Sequence, residues 1–212
     1  MSGDDRTFYK ARIGYAAAMV FPAHQLVLVQ TDGLLLDSIV ALIMPRDTPI
    51  AGVQITLEEL PLYREYQRMV VMEDPLRRLR RSFALYKQAD PESFFTFDDY
   101  IKDIVPDPEF KFPENEQGRQ AATLTIPQWA FFCVYGVYEI DIILNREMTD
   151  VWLPMIKRRF QLGEASNDFT VADTSDFQCK KSTLLQLSKL YAEDYVILKD
   201  MEGGRPYYCV SG

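Results

Sequence analysis

Two apolar runs, each delivered into a polar turn and then into a helix signal, set the narrowest limits on what this chain can fold into. The first, Gln25 to Val29, enters the turn Gln30-Thr31-Asp32-Gly33, and Leu34 to Met44 follows as a helix ended by Pro45. The second, Met69 to Met72, reaches Glu73-Asp74, and Pro75 opens a helix through Tyr86 that carries Arg77, Arg78, Arg80 and Arg81. A strand without polar alternation is one covered on both faces, the habit of parallel strands between helices. The fold class expected is therefore α/β, with a small central parallel sheet flanked by helices.

The junction at Pro75 has the outline of an anion site. Proline suits the first helical turn, and the free N–H groups there, with the helix dipole, attract phosphate or sulfate. Glu73 has the wrong sign for that role. Two like charges ~4 Å apart repel by roughly 4 kcal/mol at an effective dielectric near 20, which spoils such a site unless Glu73 points away. The four arginines span more than one helical face, so they cannot all enter one site, and a solvated face accounts for them.

With 212 residues, 48% of them hydrophobic, the chain can bury one substantial core. Its 31 acidic against 23 basic residues, net −8, argue against nucleic-acid binding, and no zinc-finger or RNA-binding spacing is present. Cys133, Cys179 and Cys209 are odd in number and far apart, and His24 is the single histidine. Neither a disulfide framework nor a zinc site is expected, and a cytoplasmic or otherwise reducing compartment fits. Ile13 to Thr31 carries no formal charge, but Pro22, His24 and Gln25 interrupt it and no signal-peptide pattern precedes it. It is expected to be buried core, not a membrane span.

Residues 1–24 form an N-terminal arm in which Tyr15 to Val20 suggests a short helix ending at Phe21-Pro22, residues 25–198 a single domain, and 199–212 a tail. Val53 to Leu57 reads as a short strand and Glu58 to Gln67 as helical. Thr96-Phe97-Asp98-Asp99 is a capping-box start, with Phe97, Tyr100, Ile101, Ile104 and Val105 as an apolar stripe. An acidic, proline-rich loop (Asp103 to Gln117) and an apolar segment (Pro127 to Tyr135) precede a strand at Glu139 to Leu144. Helices are expected at Thr149 to Leu162, capped by Gly163, and at Ser182 to Val196, where Leu184, Leu187, Leu190, Tyr191 and Tyr195 share a helical spacing. Asn167 to Gln178 is a polar loop.

In this order the segments resemble the sulfotransferases, especially the carbohydrate sulfotransferase-like branch. Met72-Glu73-Asp74-Pro75-Leu76-Arg77-Arg78-Leu79 is similar to that family's "VRDPLERL" box, and Thr96 to Ile101 to its "TFEEFV" helix start. Pro127-Gln128, Asp141 to Glu147 (similar to "DYILRFE") and Leu190 to Tyr195 (similar to "LYAxDF") extend the likeness over roughly Gln25 to Leu198. The resemblance implies a three-layer, P-loop-like sulfotransferase fold. It also implies transfer of a sulfuryl group from 3′-phosphoadenosine 5′-phosphosulfate to a hydroxyl or amine.

That chemistry needs backbone N–H groups around the 5′-phosphosulfate, a lysine at the bridging oxygen and adjacent hydroxyls. Against the family's "PKTGGTS", alignment on Gly33 puts Gln30 at the lysine and Leu34-Leu35 at the hydroxyls. Losing a preorganised donor of this kind typically costs 10²–10³-fold in rate, about 3–4 kcal/mol. The family's 3′-phosphate arginine becomes Glu73 and its serine six residues after the proline becomes Arg81, with Ser82 one position late. Cofactor contacts, where kept, would fall on Gln30, Thr31, Gly33, Arg78, Arg81 and Ser82. Arg78 and Glu147 match the family but have structural explanations as ion-pair or helix-end partners.

Loss at both ends of one ligand points to a sulfotransferase-like protein with no cofactor, serving as a structural or interaction module with a protein partner or in a larger assembly. Phe110, Phe112 and Trp129 are its candidate exposed aromatics. The alternative is an active sulfotransferase acting on a carbohydrate or small-molecule hydroxyl. There Arg77, Arg80 and Arg81 replace the lost arginine, Lys10 or Arg12 the lysine, and His24 serves as base, although a lone histidine in an apolar context is more often a core residue. A third reading keeps the arginine cluster as a surface for an acidic polymer or partner.

Overall fold

The computed structural model describes residues 18–31, 52–160, 177–202 and 207–209. Among the described residues six strands form one sheet in the order β3-β1-β2-β4-β7-β8: β1 (Ala18–Phe21), β2 (Leu26–Val29), β3 (Val53–Ile55), β4 (Gln67–Met72), β7 (Ile142–Asn145) and β8 (Tyr207–Cys209). The three middle strands β2, β4 and β7 are parallel, in register Leu26 to Gln67 and Met69 to Ile142. The flanking pairs β1–β2, β1–β3 and β7–β8 are antiparallel, so the sheet is mixed, and among the described strands the parallel pairs lie at its centre.

Side chains of the central strands alternate between two cores. Val27, Val29, Val70, Met72 and Ile143 join one cluster with Leu57, Leu60, Phe131, Leu198 and Met201. Leu26, Leu28, Met69, Val71, Ile142 and Leu144 face the other way, onto Trp152, Leu153 and Ile156. Each such side chain, fully buried, contributes about 1.5–3 kcal/mol before entropy is charged against it. Both faces are thus covered, which is why neither run shows polar alternation.

The described α-helices are α1 (Pro75–Ala89), a short α2 (Phe97–Asp99) that continues as a π-helical turn over Tyr100–Ile104, α3 (Glu116–Leu124), α4 (Thr149–Phe160), α5 (Lys181–Leu190) and α6 (Ala192–Glu202). Asp74 caps α1 by accepting from Arg77 N at 3.0 Å, and Thr96 with Asp99 closes the expected capping box. A third cluster packs Leu79, Phe83 and Tyr86 of α1 against Phe97, Tyr100, Ala121 and Leu187.

Several expectations are corrected. Ala18–Phe21 is a strand: Pro22 opens a 3₁₀ turn, Gln25 adopts a left-handed conformation (φ 48°, ψ 44°), and the chain reverses into β2 with Phe21 opposite Leu26. The described part of the charge-free stretch is therefore a β-hairpin. Among the described residues no helix is long and apolar enough to cross a membrane. Glu58 to Gln67 is a 3₁₀ helix (Leu57–Tyr63) followed by turn residues, and Gln67 begins β4. The expected strand at Val53 to Leu57 ends at Ile55, and that at Glu139 to Leu144 is shifted to β7. Asn115 caps α3 within the expected acidic loop. Pro127 to Tyr135 resolves into a 3₁₀ helix (Gln128–Phe131) and β5 (Cys133–Val134), which pairs with β6 (Val137–Tyr138). Ser182 to Val196 is two helices, α5 and α6, meeting at Tyr191. The expected helix Leu34 to Met44, the first twelve residues, the Gly163 cap and the loop Asn167 to Asp176 lie outside the described residues.

Candidate functional site at the carboxyl ends of the parallel strands

Strands β2, β4 and β7 run side by side in one direction, so Thr31, Glu73 and Arg146 emerge at the same edge of the sheet. This edge is where open α/β sheets bind ligands. Among the described residues, side chains of the chain itself meet there. Glu73 is buried; its Oε2 accepts from Arg81 Nη2 at 2.6 Å and its Oε1 lies 2.9 Å from Arg146 Nη1. Arg81 reaches back from two turns along α1, and Arg146 enters from the end of β7.

Gln128 fixes the backbone of Glu73 from both sides. Glu73 N donates to Gln128 Oε1 (2.9 Å), and Gln128 Nε2 donates to Glu73 O (2.7 Å). The 3₁₀ helix bearing Gln128 is itself capped by Asp194 of α6, whose carboxylate accepts from Gln128 N (2.8 Å) and Trp129 N (2.9 Å). Burial pushes the Asp194 carboxyl up to about 6, although these N–H donors and the Arg78 guanidinium pull it down. Glu147 is likewise raised, by burial and by the neighbouring charge of Glu73.

The sequence-predicted site residues that are described make contacts between elements. Thr31 Oγ1 donates to Val71 O (3.2 Å), and its carbonyl accepts from Arg78 Nη2 (2.6 Å). Arg78 is fully buried, donates also to Thr123 O (3.1 Å), and lies 5.6 Å from the centre of the Phe131 ring. It joins β2, α1 and α3. Ser82 Oγ donates to Ala121 O (2.7 Å) beside the Tyr100 hydroxyl (2.7 Å), which locks α1 against α3 and the π turn. Gln30 is half-buried at the end of β2, while Gly33, Leu34, Leu35, Lys10 and Arg12 lie outside the described residues.

Of the basic residues named in the alternative reading, Arg81 lies in the site, on Glu73, and Arg77 and Arg80 have partners of their own. Arg77 is exposed and pairs loosely with Glu147 (3.7 Å), and Arg80 donates to Phe177 O (3.3 Å). His24 sits in the 3₁₀ turn before β2, at the amino end of the parallel strands and so across the sheet from Glu73. The expected exposed aromatics are also corrected: Trp129 is buried, and Phe110 and Phe112 pack on Tyr86. Among the described residues no group of histidine, cysteine and carboxylate side chains is placed to hold a metal ion.

Comparison with family models, curated proteins and solved structures gives no match. Sequence reasoning missed Gln128, Arg146 and Asp194 as members of the site, although each lies in a segment already singled out. One signal was present for the ion pair: an acidic residue at a strand end with an arginine eight positions on, two turns into the following helix.

Proposed function

We propose that this chain is a sulfotransferase-like α/β protein without sulfotransferase activity, serving as an interaction or structural module. The observation that carries the reading is the Glu73 carboxylate held between Arg81 and Arg146 at the carboxyl end of the central strand. An intramolecular anion there occupies a donor of each guanidinium and sets a like charge in the way of an incoming phosphate. The substitution of Gln30 for a lysine at the neighbouring strand end acts in the same direction.

Thermal unfolding with adenosine 3′,5′-bisphosphate tests it. A ligand at 100 times its Kd stabilises by about 2.7 kcal/mol, so an unchanged Tm at millimolar nucleotide is the expected result. A clear upward shift, or transfer of labelled sulfate to any member of a carbohydrate panel, would overturn the reading.

A further inference from the structure

Phe94 is 98% exposed, yet the backbone on either side of it is held. Ser93 N donates to Asp90 O (3.2 Å), Ser93 Oγ to the Tyr86 hydroxyl (3.2 Å), and Lys87 Nζ donates to Ser93 O. On the other side the Phe95 ring lies 6.5 Å from Tyr86 and 6.4 Å from Phe110, and Thr96 is fixed by its capping box. The loop thus presents a bare aromatic side chain from an anchored frame. An aromatic presented in this way loses little conformational freedom on docking, and aromatic residues are enriched in the buried cores of protein interfaces.

Charge identifies the partner's chemistry. Residues 87–117 carry nine acidic side chains against three basic ones, a net −6 of the chain's −8. The fold gathers them: the Phe95–Phe110 contact and the Asn115 Nδ2 bond to Ala89 O (3.4 Å) set the segment bearing Glu109 and Glu114 beside the loop bearing Asp90 and Glu92. An aromatic knob in such surroundings fits an apolar pocket with a basic rim, and the same charge disfavours an anionic membrane surface.

We propose that the loop 90–96 is a docking element whose Phe94 inserts into an apolar, basic-rimmed pocket of a partner protein. This rests on the interaction-module reading, and its test uses residues remote from Glu73, so failure of one is told apart from failure of the other. Random twelve-residue peptides displayed on phage are selected against the full chain. Enriched peptides are expected to combine apolar residues with net positive charge. They are expected to bind Phe94→Ser at least tenfold more weakly, to bind Phe94→Trp nearly as well as the parent, and to weaken as salt is raised. An unchanged Tm of Phe94→Ser shows that the fold is intact. No enrichment over Phe94→Ser, or enriched peptides without positive charge, overturns the proposal. So does Phe94-dependent binding to phosphatidylcholine vesicles or Phe94-dependent self-association in sedimentation, either of which assigns the knob to another occupant.

Discussion

At the scale of single residues, Glu73 and Asp194 are both buried carboxyl groups with opposite requirements. Glu73 is the shared counter-ion of two guanidiniums whose side chains are themselves largely buried. Removing one member of such a group strands the others in a poorly solvated site, so Glu73→Ala is expected to lose about 3–5 kcal/mol in urea unfolding. Added sulfate is expected to raise the Tm of that variant more than that of the parent, because it resupplies the anion. Equal response of the two proteins would show that Arg81 and Arg146 do not form an anion pocket. Asp194 has a folded-state pKa of about 6, above the ordinary 3.8, so the folded chain holds this proton more tightly. Its contribution to stability is present in full below about pH 4 and is lost as pH rises to 6, a change of about 3 kcal/mol at 1.36 kcal/mol per unit. Asp194→Asn removes the titration. The stability of the parent relative to that variant is therefore expected to fall between pH 4 and pH 6; a flat or rising difference in paired urea titrations contradicts the assignment.

At the scale of elements, the seating of α3 and the turn of the small hairpin depend on backbone that only certain residues allow. Gly118 lies in the first turn of α3, where an added Cβ would stand 2.1 Å from the carbonyl oxygen of Pro113. Helix propensity alone makes Gly→Ala favourable by about 1 kcal/mol. The clash is with backbone, which cannot rotate away, so Gly118→Ala is expected to destabilise by about 1–3 kcal/mol, and a gain in Tm would refute the close approach. Tyr135 and Gly136 both have positive φ (50° and 79°) in the two-residue turn between β5 and β6, the condition of a type I′ turn. An exposed tyrosine there is strained, and Tyr135→Asn is expected to stabilise by about 1 kcal/mol, read from the midpoint of chemical unfolding. The elements differ in how legible they were. The parallel strands and the Asp74 and Thr96 caps could be read because apolar runs and capping residues act locally. Ala18–Phe21 misled because four apolar residues fit a buried strand and a buried helix equally, and its pairing with β3 joins residues far apart in the chain. The same separation hid the site: Arg146 meets Glu73, and Asp194 meets Gln128, only after β7 and α6 are in place.

At the scale of the whole molecule, the parallel strands carry an ionic network at each end. Opposite the Glu73 cluster, Arg68 at the start of β4 pairs with Glu139 and with Asp141 (2.8 Å), and Arg64 also reaches Glu139. Hydrogen bonding from Arg64, with Arg68 adding to it against burial, holds Glu139 below the usual carboxylate range. Burial works against ionised Asp141, but the side-chain and backbone donors of Arg68 prevail and its pKa is also lowered. Depressed pKa values contribute stability above the ordinary 4.5 and 3.8 that is lost as pH falls through the folded-state values. The sign is opposite to that of Asp194, so the two ends of the sheet respond differently to acid. Arg68→Met breaks the buried pair while keeping apolar bulk, and at pH 7 it is expected to lose about 3–5 kcal/mol. As pH falls below 4 and through the lowered folded-state values, the carboxyls are protonated and no longer need a cation, so the gap between the unfolding curves of parent and variant is expected to narrow progressively below pH 4. A gap that stayed constant from pH 7 to pH 3 would mean that Arg68 acts through the packing of its methylenes against the strand ends and not through its charge.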